Sequence, residues 1–214
     1  MLPEQALPDP LPGEPMTLLA GWLAEALRRR NQPNPDAMVL ATVQGEQPSA
    51  RVVLCKEIDA GTGSVRFVTN YESRKGRELA ANPRAALVFH WDHQHRQARL
   101  EGHVEKASHA DSDTYFATRA RASQIGAHAS RQSEPLVSLT ALREQADAVE
   151  QRFAGRSVTR PPHWGGYVFH ADAVELWVAG VARLHERARW SRELADVCSK
   201  VPVAGPWQVT RLQP

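Results

Sequence analysis

The sequence predicts an α+β fold that is mainly antiparallel β, a strand barrel with helices on its periphery. Three observations lead there. Short runs rich in β-branched and aromatic residues recur between turn signals, at 37–44, 49–57, 65–70, 84–91 and 96–106. Helical patterns are grouped, at about 108–119, 122–130 and 138–154, rather than alternating with the strands as a parallel α/β sheet requires. Strands then return near 164–171, 173–179, 183–190 and 207–212. Strands in meander order that must also cover their edges close most simply as a barrel.

Taken in order, residues 1–15 are Pro-rich and aperiodic, an extended arm ahead of a single domain over 16–214. From Met16 to Arg30, Leu18, Leu19, Trp22, Leu23, Ala26 and Leu27 fall on one helical face. Arg28, Arg29 and Arg30 close that helix, where cations complement its dipole; this accounts for them without nucleic acid. Pro33 and Pro35 break the chain, and Gly45-Glu46-Gln47-Pro48 turns the first hairpin. Asp59–Ser64 leads to the third strand. Ser73 caps a helix that runs to Ala81 and stops at Asn82-Pro83. Asp92-His93-Gln94-His95 turns the next hairpin, and Arg160-Pro161-Pro162 ends the helical group. The low-complexity stretch 195–206 reads as a surface insertion before the last strand.

Composition bounds the function. A chain of 214 residues is long enough to bury a core, and 42% apolar with 23% charged residues is a soluble, globular balance. The net charge of +2 gives no global field, so anion binding must come from local clusters. No apolar run approaches the roughly 20 residues that span a bilayer, and the N-terminus does not resemble a signal peptide. Cys55 and Cys198 form no disulfide framework. A cytoplasmic protein without membrane or nucleic-acid partners is expected.

Four clusters stand out. In an extended segment Arg183, His185 and Arg187 would share one face, a poor core surface and a good anion site. Arg74 and Lys75 follow the Ser73 cap directly, where cations oppose the helix dipole unless an anion sits at the same end. Tyr115, Arg119 and Ser123, spaced i, i+4, i+8, would line one stripe of a continuous helix. Arg51 and Lys56 share a strand but nominally face opposite sides, which a bulge or a ligand at the strand end would reconcile. Gln97 and Arg99 fall on one strand face. His90, His93 and His95 surround a polar turn without a zinc-ligand spacing, and there is no P-loop, Rossmann glycine fingerprint or nucleophile elbow.

Together these segments resemble the pyridoxine/pyridoxamine 5′-phosphate oxidase family from about Asp36 to Pro214. The resemblance rests on Arg51-Val52-Val53-Leu54-Cys55-Lys56, on Thr69 with Ser73-Arg74-Lys75, and on Ser123-Gln124-Ile125-Gly126-Ala127. It rests also on Arg131-Gln132-Ser133, His163-Trp164-Gly165-Gly166, Glu175-Leu176-Trp177 with Arg183-Leu184-His185-Glu186-Arg187, and the terminal Arg211-Leu212-Gln213-Pro214. Each block is short, and their joint order carries the likeness. It implies an FMN-binding split β-barrel of Greek-key type, a homodimer with FMN in clefts between subunits. It further implies oxidation of pyridoxine 5′-phosphate or pyridoxamine 5′-phosphate to pyridoxal 5′-phosphate, with O2 as acceptor and H2O2 as product.

Carried over by position, FMN would be contacted by Arg51, Val52, Val53, Leu54, Cys55, Lys56, Val68, Thr69, Arg74, Lys75 and Gln97. Gln132, Ser133, Trp177 and Arg187 would complete that site. The substrate phosphate would meet Lys56, Tyr115, Arg119 and Ser123, with Arg183 and His185 over the substrate ring as the catalytic pair. The arm lacks the Arg/Tyr-containing segment that some relatives fold over the site, Cys55 stands where aliphatic residues are common, and the insertion between Ser191 and Trp207 carries no motif. Two other readings fit the same fold: a phenazine-biosynthesis oxidase, whose substrates lack a phosphate, and a non-catalytic FMN or pyridoxal 5′-phosphate carrier.

Overall fold

The computed structural model describes residues 6–195 and 203–214. Helix α1 (Met16–Arg29) comes first, followed by strands β1 (Ala37–Gln44), β2 (Gln47–Asp59) and β3 (Ser64–Asn70). Helix α2 (Arg74–Ala81) leads to β4 (Arg84–Trp91) and β5 (Arg96–Lys106). Helices α3 (His109–Ala117), α4 (Arg121–Ala129) and α5 (Leu139–Arg152) form the expected group. The chain ends in β6 (Trp164–Val178), β7 (Glu186–Ser191), a two-residue ladder of β8 (Leu194–Ala195) with β9 (Val203–Ala204), and β10 (Gln208–Leu212).

All pairings are antiparallel, in the order β10-β7-β6-β3-β2-β1-β4-β5, and β5 pairs again with β6. Six strands therefore close a barrel, and β7 and β10 extend it from β6. The spatial run β4-β1-β2-β3 is a Greek key, which refines the meander order expected from sequence. Strand β6 makes the split. Its first half pairs with β3 through Trp164–His170 and its second half with β7 through Ala173–Val178.

Several boundaries differ from expectation for identifiable reasons. The two strands expected at 164–171 and 173–179 are one: Asp172 is skipped as the β5 register shifts between Glu101 and Gly102, so a bulge stands where a break was expected. The first hairpin turns on Gly45-Glu46 alone, with Gly45 in the left-handed region at φ 56°. The strand expected from residue 183 begins only at Glu186. The insertion is partly tied down by the β8–β9 ladder, and its residues 196–202 lie outside the described residues.

The barrel core is built from alternate residues. Met38, Leu40, Phe67, Leu87, Phe89, Leu100, Phe169 and Leu176 are all buried. Helix α1 covers it with Met16, Leu19, Trp22, Leu23 and Ala26, and Trp22 meets Trp91 edge to face at 6.4 Å. A smaller cluster of Phe116, Ile125, Val158 and Trp164 fixes α3 and α4 against the start of β6. The Pro-rich arm is docked, not free. Leu7 is buried, its N–H donates to Glu186 Oε2 at 2.9 Å, and Trp190 Nε1–H donates to the Pro12 carbonyl at 2.8 Å. Residues 1–5 lie outside the described residues.

Candidate functional site

The candidate residues gather into two groups. The first surrounds the N-terminus of α2. Ser73 caps it, its hydroxyl accepting from Gly76 N–H at 3.3 Å, and a Cβ at Gly76 would come within 2.1 Å of the Tyr71 carbonyl oxygen. Lys75 Nζ donates to Thr69 Oγ1 at 3.1 Å and to Gln132 Oε1 at 2.7 Å. The Arg74 main-chain N–H donates to Ser133 Oγ at 3.1 Å. Ser133 is held at φ 75°, a left-handed conformation that non-glycine residues adopt at a cost, and such positions concentrate at binding sites.

Beneath them lies Glu78, 1% exposed, which accepts from Arg51 Nη2 at 2.8 Å, Arg74 Nε at 2.8 Å and Thr42 Oγ1 at 2.5 Å. Burial alone would raise the Glu78 carboxyl, but those hydrogen bonds and the Arg51 charge outweigh it and hold it below its ordinary value. Burial and the neighbouring Arg51 push the Lys75 ammonium down, against the pull of Glu78. Two guanidiniums thus share one carboxylate with the Lys75 ammonium nearby, a local surplus of positive charge.

The run Arg51–Lys56 divides by strand parity. Val53 and Cys55 are buried, so a contact from either to a cofactor goes through the main chain. Val52 at 64% and Leu54 at 39% exposure form an apolar outer surface. Lys56 is the bulged residue, as the β2–β3 register shifts between Cys55 and Glu57, and its Nζ lies 3.5 Å from Asp36 Oδ2. The bulge does not bring Lys56 to Arg51: Lys56 pairs with Asp36, while Arg51 donates to Thr42 and Glu78.

Tyr115, Arg119 and Ser123 do not share a continuous helix. Helix α3 ends at Ala117 and α4 starts at Arg121, leaving Arg119 in the link between them. Trp164 reunites the set. Its ring stacks on Tyr115 with centroids 6.3 Å apart, and the Arg119 guanidinium lies 4.5 Å from its centroid. Arg119 Nη1 is buried without a hydrogen-bond partner. A cleft of about 380 Å³ is lined by Val68, Thr69, Arg119, Ser123, Gln132 and Trp164, so it joins Arg119 and Ser123 to residues beside the α2 cradle. A smaller cavity of about 130 Å³ on the other side of Val68 is lined by Lys56 and Tyr115.

The second group lies on β5, β6 and β7. Gln97, Trp177 and Arg187 are successive cross-strand partners in one row. Glu175, 5% exposed, accepts from Arg187 Nε at 2.9 Å and from Arg99 Nη1 at 3.3 Å. The shared strand face expected for Arg183, His185 and Arg187 is not formed. Val181–Arg183 is a single 3-10 turn, with Ala182 at φ 53° and Arg183 at φ 64°, and only Arg187 is in the strand. Gly180 is required there, since a Cβ would fall 1.7 Å from the Leu184 carbonyl oxygen. The turn brings the His185 ring 4.7 Å from that of Trp177, while Arg183 stays exposed. Gly180 N–H donates to His185 Nδ1 at 3.2 Å, which leaves Nε2 as the nitrogen bearing hydrogen.

Among the described residues, no hydrogen bond, ion pair or ring contact joins the two groups. Sequence reasoning passed over Glu78, Thr42, Trp164 and Glu175 as working parts of these sites. Glu78 left a local signal, four residues beyond Arg74 on α2, while Trp164 and Glu175 stood only within the blocks that carry the family resemblance.

Fold and site define a Greek-key split barrel with a cation-lined cleft at a helix N-terminus. Residues 23–153 match the family model described as pyridoxamine 5′-phosphate oxidase, and residues 164–214 match the pyridoxine 5′-phosphate oxidase C-terminal dimerisation region. The chain is 45% identical over 202 residues to the pyridoxine/pyridoxamine 5′-phosphate oxidase of Cupriavidus necator, covering 94% of this chain and 89% of that protein. It is 46% identical over 202 residues to the enzyme of that name from Burkholderia lata, with the same coverage. Among solved structures, PhzG from Burkholderia lata 383, in complex with tetrahydrophenazine-1-carboxylic acid, superposes with a TM-score of 0.85 at 32% identity, covering 100% of this chain and 98% of that one. The chain belongs to the pyridoxamine 5′-phosphate oxidase family and is an enzyme of that family with FMN as its cofactor. The residues present suit that group: surplus cations at the start of α2 for a phosphate, and the exposed apolar Val52 and Leu54 for a ring system.

Proposed function

We propose that the protein oxidises pyridoxine 5′-phosphate or pyridoxamine 5′-phosphate to pyridoxal 5′-phosphate, with O2 as acceptor and H2O2 as product. It acts as a cytoplasmic homodimer with FMN at the subunit interface. The observation that carries the substrate reading is Arg119, whose buried Nη1 has no partner while its guanidinium is steadied on Trp164 beside Ser123. A buried donor left unmade is costly, and a substrate phosphate oxygen would complete it.

In this reading Arg74, Lys75, Thr69, Gln132 and Ser133 hold the flavin phosphate, with Arg51 behind them. Val52 and Leu54 lie against the ring, and Val53, Cys55 and Val68 shape its bed. Gln97, Trp177 and Arg187 complete the site from the partner subunit, which accounts for two groups unjoined within one chain. Lys56, Tyr115, Arg119 and Ser123 anchor the substrate phosphate, so that binding energy at one end aligns the reacting carbon at the other. Arg183 and His185 face the substrate ring, where His185 Nε2–H is free to donate. Bound FMN supplies the hydride acceptor and the route to oxygen. The alcohol substrate gives the aldehyde directly, and the amine gives an imine that water hydrolyses to the aldehyde and ammonia.

The phenazine-type alternative draws on the 0.85 superposition with PhzG. Two observations favour the vitamin B6 substrate. Identity to the Burkholderia lata oxidase is 46%, against 32% to PhzG from the same species, and the chain carries Tyr115, Arg119 and Ser123, which the phosphate reading requires. The deciding experiment is oxygen-dependent formation of pyridoxal 5′-phosphate and peroxide from pyridoxine 5′-phosphate by the FMN-loaded protein. No product from protein that holds FMN stoichiometrically would exclude the proposal and move the assignment to a phosphate-free substrate or a carrier.

A further inference from the structure

We infer that Glu78 is the positioning residue of the flavin-phosphate cradle, setting the selection of FMN over unphosphorylated riboflavin without touching the ligand. The inference rests on the reading above that the α2 cradle holds the flavin phosphate. Glu78 is 1% exposed and no closer to solvent than the core, yet it carries a carboxylate. Its two oxygens divide the work. Oε1 takes Arg74 Nε, and Oε2 takes Arg51 Nη2 together with the Thr42 hydroxyl. Arg51 is held further by Ser49 Oγ at 2.8 Å and by the Leu40 carbonyl at 3.3 Å, so both guanidiniums are locked from below.

Arg74 keeps its Nη N–H groups for a ligand, while Arg51, whose Nη groups are taken by Leu40, Thr42, Ser49 and Glu78, keeps only its Nε–H and chiefly fixes the carboxylate that orients Arg74. Arg74 shows the effect most plainly: its side chain is 53% exposed and would wander without that contact. A long side chain ordered in advance loses less entropy when an anion arrives.

Charge and position make opposite predictions, which gives the test its sign. If Glu78 mattered only as a nearby negative charge, removing it would strengthen binding of the flavin phosphate. If it positions Arg51 and Arg74, removing it weakens that binding and leaves affinity for riboflavin alone. The full-length protein, stripped of flavin, is titrated with FMN and with riboflavin by quenching of flavin fluorescence, for the unmodified chain, Glu78→Gln and Glu78→Asp. The expected result is a roughly tenfold loss of FMN affinity in both variants, the size of one charge-assisted contact, with riboflavin affinity changed by less than about twofold. Glu78→Asp keeps the charge but shortens the reach, and it serves alone should Glu78→Gln fail to fold.

An unchanged or increased preference for FMN in the folded variants overturns the inference. An unmodified chain that binds riboflavin as tightly as FMN overturns instead the reading of α2 as the phosphate site, so the two failures are distinguishable.

Discussion

The guanidinium of Arg119 lies 4.5 Å from the ring centroid of Trp164, although the two are 45 residues apart and Arg119 belongs to no helix. The ring faces Tyr115 as well, so one tryptophan at the start of β6 sets two of the four residues proposed for the substrate phosphate. Trp164 is itself packed with Phe116 and Ile125, which makes the clamp an outgrowth of the smaller core.

Arg119→Ala is expected to raise KM for pyridoxine 5′-phosphate by about ten- to a hundredfold, since a charge-assisted contact contributes roughly 1.5–3 kcal/mol. Trp164→Leu is expected to raise it too, by less, because the cation remains but loses its platform. Both variants keep bound FMN. Steady-state kinetics and the flavin spectrum check this, and an unchanged KM in Arg119→Ala would remove the residue from the substrate site.

Arg187 is fixed by Glu175 on one side and by the Gln213 carbonyl, 3.0 Å from Nη1, on the other. Arg187→Ala is expected to purify with substoichiometric FMN. A variant that retains full flavin after gel filtration would contradict the place proposed for Arg187.

Cys55 is buried, and that burial pushes its thiol up to about 12, so it stays protonated at neutral pH. Iodoacetamide is therefore expected to spare Cys55 in the native protein and to label it after denaturation, as read by mass spectrometry of its peptide. Rapid native labelling would identify a reactive thiol instead.

The docked arm predicts a stability effect. Deleting residues 1–12 removes buried Leu7 and the bond from Trp190, at an expected cost of about 2–4 kcal/mol in urea denaturation. An unchanged midpoint would mean that the arm lies on the barrel without stabilising it.

Glu25 on α1 pairs with Arg96, whose side chain is 8% exposed. Burial raises the Glu25 carboxyl, but the hydrogen bond and charge of Arg96 outweigh it, with Arg29 adding to the effect, and the net shift is downward from 4.5. A depressed carboxylate stabilises the fold above its unfolded pKa and loses that contribution as pH falls through the folded one. The acid limb of the melting profile below about pH 4.5 is therefore expected to be shallower in Glu25→Gln than in the unmodified chain. Parallel acid limbs would show that the pair contributes nothing.

Much of this was legible in the chain. The strands at 84–91 and 96–106 coincide with their observed limits because alternation and turn residues are local signals. The break of the dipole rule at Arg74 and Lys75 marked the cradle for the same reason. Other features were not legible. Asp172 and Lys56 are bulges, and a bulge is a mismatch between two strands that neither strand records alone. The turn at Ala182 and Arg183 adopts left-handed angles that no residue there favours, imposed by the close approach of Gly180 to Leu184.

By itself the sequence determined most of the strand and helix content, the family, and where basic residues cluster along the chain, since each follows from short-range pattern or motif order. Tertiary structure alone decided which of them meet. It set Arg119 on Trp164, Lys75 on Gln132, and Arg51 with Arg74 on one buried carboxylate, because barrel closure brings β1, β2, α2 and the 130–133 link to one end. It also left Gln97, Trp177 and Arg187 on another face, out of contact with that cradle. Partners distant in sequence are fixed by packing a shared core, and local pattern carries no record of that choice.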